Sequence, residues 1–259
     1  LQSKLLSCLA LSIRSYLKNL CCTEKICRQQ CIQATLRLRL VRLIYKPLLT
    51  LHSTKYKNMK TIGLIGGMSW ESSVVYYQLI NRQVKKQLGG LHSCRSLMYS
   101  VDFDEIAHLQ HLGDWKSLTE IMVDAAQRLE KGGADFIVLC TNTMHKMAEE
   151  IEQNTSIPLL HIADATAAEI KKKHFTKVGL LGTKFTMEGE FLKGRLQEKH
   201  RIETIIPNQQ ARERVHAIIY EELIKGIFTD SSRKEYLQII QDLATEGAEG
   251  VILGCTEIP

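Results

Sequence analysis

At 259 residues, with 44% hydrophobic and 24% charged side chains, the chain is long enough for one large or two modest globular domains and has an ordinary soluble-protein composition. Its formal charge of +6 is uneven: residues 1–58 carry eleven Lys/Arg and one acid, Glu24, while residues 59–259 come to −4, which argues against nucleic acid as a partner of the body. Five of the eight cysteines lie in residues 1–58, and no run of about 18 apolar residues occurs, so a disulfide framework and a transmembrane helix are both excluded and a reducing, cytoplasmic setting is expected.

Residues 1–58 lack periodicity, caps and turn chemistry, and read as a non-domain leader. The apolar stretch LLSCLALSI has no A-x-A-like site behind it, which disfavours a signal peptide, and the Arg-rich, acid-poor character is shared with organelle transit peptides. Cys21, Cys22, Cys27 and Cys31 match no zinc spacing. The body opens at Met59 with TIGLIGGMSW (61–70), an apolar strand ending in a glycine turn. A helix is predicted from Trp70 to Leu88, with Ser69 as N-cap and a Val74–Tyr77–Ile80 stripe. A second, from Trp115 to Lys131, is amphipathic through Leu118, Ile121, Met122, Ala125 and Leu129 and stops at Gly132-Gly133. GGADFIVLCTNT (132–143) then reads as a glycine turn, an aliphatic strand and a Cys-Thr pair at its carboxyl end.

The pattern repeats. KVGLLGTKFT (177–186) echoes the first strand, helices are predicted over 211–226 and 231–246, and EGAEGVILGCTE (246–257) echoes 132–143. Gly63 precedes Cys140 by 77 residues and Gly179 precedes Cys255 by 76. Short aliphatic strands without alternation, separated by helices, indicate parallel sheets buried on both faces. The expected fold is α/β: two similar Rossmann-like lobes, 59–165 and 166–259, related by a pseudo-two-fold axis. Ligands of such sheets bind beyond the strand carboxyl ends, which puts both cysteines at a cleft between the lobes.

Two thiols on opposite sides of one cleft fit the inversion of a stereocentre, because a lone base tends to return a proton to the face it came from. Each thiol precedes a predicted helix start, where the dipole would stabilise a thiolate. Thr141, Asn142, Thr143 and Thr256 offer hydrogen-bond donors to a substrate carboxylate or developing carbanion. No lysine stands in a pyridoxal setting and Cys140, His145, His161 and Asp164 fit no standard metal site, so neither cofactor nor metal is expected. Glu257 is read evenly as a site residue or a helix cap, and Met68 evenly as substrate contact or core; Thr183 stands at the turn matching Met68 in the other half.

The segments GLIGGMSWESS, VLCTNTMHK, HIADAT and GCTEI resemble the aspartate/glutamate racemase family, in its broad-spectrum amino-acid racemase branch, from Met59 to Pro259. The resemblance implies pyridoxal-independent racemisation with Cys140 and Cys255 as the two bases, and a small-molecule amino acid as substrate. Met68 resembles a substrate-contacting position. Gln110 stands where strict aspartate racemases carry an arginine, which points to neutral or polar side chains. Arg214, ahead of Lys225, is the candidate for the α-carboxylate. The family pattern continues past Pro259, so the chain is expected to lack its final α/β unit and to be unstable or inactive as it stands. Other readings of the same residues are a cysteine-dependent isomerase or decarboxylase, and a catalytically silent small-ligand sensor. No membrane partner is expected, and a homodimer is compatible with the sequence.

Overall fold

The structure is a computed structural model that describes residues 59–255 and residue 258. Residues 1–58, read above as a leader, and Thr256 and Glu257, read as site residues, lie outside the described residues.

Strand β1 (Thr61–Gly66) leads into helix α1 (Trp70–Leu88), strand β2 (Arg95–Ser100), helices α2 (Phe103–Leu112) and α3 (Trp115–Lys131), and strand β3 (Phe136–Leu139). A 3-10 turn (Thr143–Met147) and a short helix α4 (Ala148–Gln153) follow. The three strands form a parallel sheet in the order β2-β1-β3. A parallel bridge from Ile137 to Leu159 carries the sheet one step further.

Helix α5 (Ile162–Lys172) passes to the second lobe: strand β4 (Lys177–Leu181), helices α6 (Lys184–Glu188) and α7 (Glu190–His200), strand β5 (Glu203–Ile205), helices α8 (Gln209–Glu221) and α9 (Asp230–Thr245), and strand β6 (Gly250–Leu253). Its sheet has the order β5-β4-β6, again all parallel, so the two lobes share one design. The lobe boundary expected at residue 165 falls inside α5, which serves both cores. Ala165 packs in the first, and Ala163, Ala167 and Ile170 pack in the second.

The period-2 alternation of a strand sorts the first core into two layers. Ile62, Leu64, Phe136, Val138 and Cys140 face the α1 side with Tyr76, Ile80 and Val84. Ile65, Ile137 and Leu139 face the opposite side with Leu118, Met122, Ala125 and Leu129 of α3. Each large aliphatic side chain so buried contributes roughly 1.5–3 kcal/mol. The same alternation aims Cys140 toward α1 and α5 rather than toward α3.

Helix α1 begins where expected, with the Ser69 side chain accepting the Ser72 N–H at 3.4 Å, but its buried stripe differs. Ser72, Ser73, Tyr76, Ile80 and Val84 face inward, while Val74 and Tyr77 are exposed. Close approach to the glycine turn decides this. The Ser73 hydroxyl accepts the Gly67 N–H at 2.9 Å, a place where an aliphatic side chain would leave that donor unpaired. Gly67 itself sits at φ +98°, and a Cβ there would lie 2.2 Å from the Val101 carbonyl oxygen, so glycine is required.

Candidate active site

Both cysteines lie just past the carboxyl end of a strand that flanks the central strand of its sheet. Cys140 directly follows β3, and Cys255 follows β6 after Gly254. The two loops meet: the Asn142 side-chain amide donates to the Gly254 carbonyl at 2.5 Å, joining residues 112 positions apart. Sheet, strand end and cysteine loop of one lobe are thereby set against those of the other.

Cys140 is 1% exposed, and burial pushes its thiol up to about 12. This corrects the expectation that a helix dipole would stabilise a thiolate there. The segment after Cys140 is a 3-10 turn, and with no water to solvate the anion, desolvation governs. Cys255 is half-buried at the edge of the second core.

A buried histidine fixes the Cys140 loop. His145 Nδ1 donates to the carbonyls of Thr141 (2.9 Å) and Asn142 (3.2 Å), while its Nε2 accepts the Ile162 N–H at 3.1 Å. Burial lowers its pKa to about 4, the neutral form that this bonding needs. His161 caps α5 by accepting the Ala163 N–H at Nδ1 (3.0 Å), and its ring meets His145 edge-on at 4.6 Å. Asp164 takes a bidentate pair from Arg195 (2.9 and 2.7 Å) and a bond from His200 (2.8 Å). Burial alone would raise its pKa, but these donors outweigh it and the net shift is downward. The side chains weighed and set aside as metal ligands thus form a strut between the Cys140 loop and the interlobe helix. Sequence reasoning missed this role, although His145 lies within one helical turn of Thr141, where a ring nitrogen can reach the backbone.

The remaining expected site residues divide. Thr141, Asn142 and Thr143 stand with Cys140 in the loop. Gln110 is buried on α2, next to His111, whose ring meets Tyr220 of the second lobe at 6.0 Å. Met68, at 7% exposure, packs in the first core with Ile65 and Ile106, which is the packing role weighed for it. Thr183 caps α6, accepting the Thr186 N–H at 3.4 Å, and so corresponds to Ser69 rather than to Met68. Arg214 is engaged elsewhere: its guanidinium pairs bidentately with Glu235 (2.5 and 3.0 Å) and reaches Glu222 at 3.6 Å. It projects roughly 160° around α8 from His216, whose side meets α6, so an α-carboxylate role is not what its contacts provide.

Paired parallel α/β lobes that meet at matched cysteine loops define a two-lobed enzyme of the racemase class. Residues 65–259 match the model of the Asp/Glu/hydantoin racemases, and the chain belongs to that family. It is 27% identical over 214 residues to the broad specificity amino-acid racemase of Bacillus subtilis, covering 76% of this chain and 85% of that one. Among solved structures it is similar to a Yersinia pestis protein classed with the Asp/Glu racemases, at 55% identity and TM-score 0.74 over 77% of this chain and 87% of that one. An aspartate racemase homologue from Pyrococcus horikoshii follows at 36% identity and TM-score 0.65, over 78% and 87%. The chain is an isomerase with racemase activity. No helix among the described residues is long and apolar enough to cross a membrane.

Proposed function

We propose that the chain racemises free amino acids without pyridoxal, with Cys140 and Cys255 exchanging the Cα proton from opposite faces. The observation that carries this reading is the Asn142–Gly254 hydrogen bond, which ties together the two loops that bear the thiols. In one direction the Cys255 thiolate takes the α-proton: the Cα–H bond breaks, an S–H bond forms, and the electron pair spreads into the carboxylate. The Cys140 thiol then returns a proton to the other face, leaving a thiolate, and the reverse reaction exchanges the roles. Burial favours the protonated form of Cys140, which suits the donor. For the reverse direction the substrate supplies its own ammonium, and an opposite charge within ~4–6 Å favours a thiolate.

Thr141, Asn142 and Thr143 bind the carboxylate through their hydroxyl, amide and backbone donors, with Thr256 in the matching place. Neutral Gln110 favours uncharged or polar side chains, a breadth in keeping with the Bacillus subtilis relative. The test is deuterium wash-in at Cα from heavy water with a panel of L-amino acids. The expected result is loss of the Cα–H signal with appearance of the D-enantiomer. Cys140→Ser and Cys255→Ser are each expected to cut racemisation about 100-fold or more. Parental racemisation in either single variant would refute the two-base assignment.

A further inference from the structure

One ring holds the Cys140 loop from two sides. His145 is 2% exposed, and its Nδ1 donates to the carbonyls of Thr141 and Asn142, the two residues that follow Cys140. At the far side of the ring, Nε2 accepts the Ile162 N–H at 3.1 Å. Ile162 opens α5, and its N–H is one of the four donors that a helix start leaves without an intrahelical partner. His161 caps that start by accepting the Ala163 N–H, so the Ile162 donor falls to the cysteine loop. A neutral imidazole suits both ends, because it carries a donor and an acceptor at fixed places on one rigid ring. A doubly protonated ring would turn an N–H toward the Ile162 N–H, and burial holds His145 in the neutral form. With both nitrogens taken by backbone groups, the ring has no atom left for a substrate proton.

The constraint reaches beyond the loop. Asn142, whose carbonyl accepts from His145, donates its side-chain amide to the carbonyl of Gly254, the residue before Cys255. At the other end, α5 contributes side chains to the cores of both lobes, and Arg195 and His200 of α7 hold its first turn through Asp164. A continuous run of hydrogen bonds therefore leads from the interlobe helix through His145 and Asn142 to the neighbour of Cys255.

We propose that His145 is a positioning residue for racemisation: by tying the Cys140 loop to α5, it sets the Cys140 thiol in place opposite Cys255. The proposal rests on the racemase reading and gives it a device that acts on one face of the substrate. A reacting group misplaced by about 1 Å costs roughly 100-fold in rate. With the tether cut, the Cys255 thiolate still takes the α-proton, exchanges its S–H for solvent S–D and returns deuterium to the same face. Delivery from Cys140 to the opposite face is what fails.

Two variants cut the tether from its two ends. His145→Asn can keep the bond to the Thr141 carbonyl, as Asn81 and Asn154 bond the carbonyl four residues back at 2.9 and 2.8 Å, but it lacks Nε2. Ile162→Pro removes only the N–H, at a first helical position that proline tolerates. The experiment follows deuterium wash-in and inversion at Cα, from heavy water, for both enantiomers of a panel of amino acids. Each variant is expected to lower inversion about 10- to 100-fold. Wash-in with retained configuration should stay within about threefold of the parent for the enantiomer that presents its α-proton to Cys255, and fall with inversion for the other. The double variant should lose no more than about threefold beyond the singles, since both cut one bond. Parental inversion in either variant overturns the proposal, as does an equal loss of exchange on both faces or a double variant with multiplied losses. A parent that exchanges no Cα proton sinks the racemase reading instead. Iodoacetamide then still tests the tether: Cys140 should alkylate about tenfold faster in His145→Asn, with Cys255 unchanged. An unaltered Cys140 rate there overturns the tether as well.

Discussion

A thiol at the end of a buried strand has no water to solvate its anion, so Cys140 holds its proton up to about 12 against an ordinary value near 9.0. The unfolded chain ionises this group first. Its contribution to stability is therefore complete below about 9.0 and is lost as pH rises from there toward 12. At about pH 10.5 the loss should come to about 2 kcal/mol. Urea unfolding of the parent and of Cys140→Ser at about pH 8 and pH 10.5 measures it, with a steeper decline expected in the parent; equal declines would contradict the burial account. The identity of the thiols was legible in the sequence because the motif occurs twice at nearly equal offsets. Their ionisation was not, because desolvation depends on what packs around Cys140, namely Ala165 and the α1 side of the sheet.

At the scale of elements, the glycine turn after β1 and the first turn of α1 are fitted to each other. A Cβ at Gly66 would lie 2.5 Å from Ser73 Oγ, an atom already fixed by the Gly67 N–H and the Ser69 carbonyl. Gly66→Ala is expected to destabilise by about 1–3 kcal/mol. A urea midpoint unchanged from the parent would show that the turn yields freely. Helices α1 and α3 were readable to the residue, because Ser69 and Gly132 mark their ends with side-chain and backbone chemistry of short range. The buried stripe of α1 was misread, since hydrophobicity favoured Val74 where hydrogen bonding to the turn favours Ser73. Helix α7 and the edge strand β2 passed unnoticed: α7 buries only Leu192 and Leu196, and β2 is exposed along one side.

On the scale of the whole molecule, the links between the lobes among the described residues include the shared helix α5, the ring contacts Trp115–Phe185 and His111–Tyr220, and the Asn142–Gly254 hydrogen bond. Of these, the last ties one cysteine loop directly to the other. Asn142→Ala removes it and leaves the Gly254 carbonyl without that donor, so the junction should loosen where the thiols meet. Alkylation of Cys140 by iodoacetamide in the folded protein is expected to speed up about tenfold, the equivalent of one such hydrogen bond. Mass spectrometry of the modified peptide gives the rate. An unaltered rate would mean that other contacts seal Cys140.

The sequence by itself determined the duplicated parallel lobes, the two Cys-Thr ends and the main helix limits, because each is written in local periodicity and turn chemistry. Tertiary structure alone decided that Arg214 pairs with Glu235, that His145 braces the Cys140 loop and that Tyr220 and His216 stand at the junction. Those roles are completed by partners beyond a local window, Glu235 for Arg214, the Ile162 N–H for His145 and His111 of the other lobe for Tyr220, and their energies come from burial and direction, which the sequence pattern does not carry.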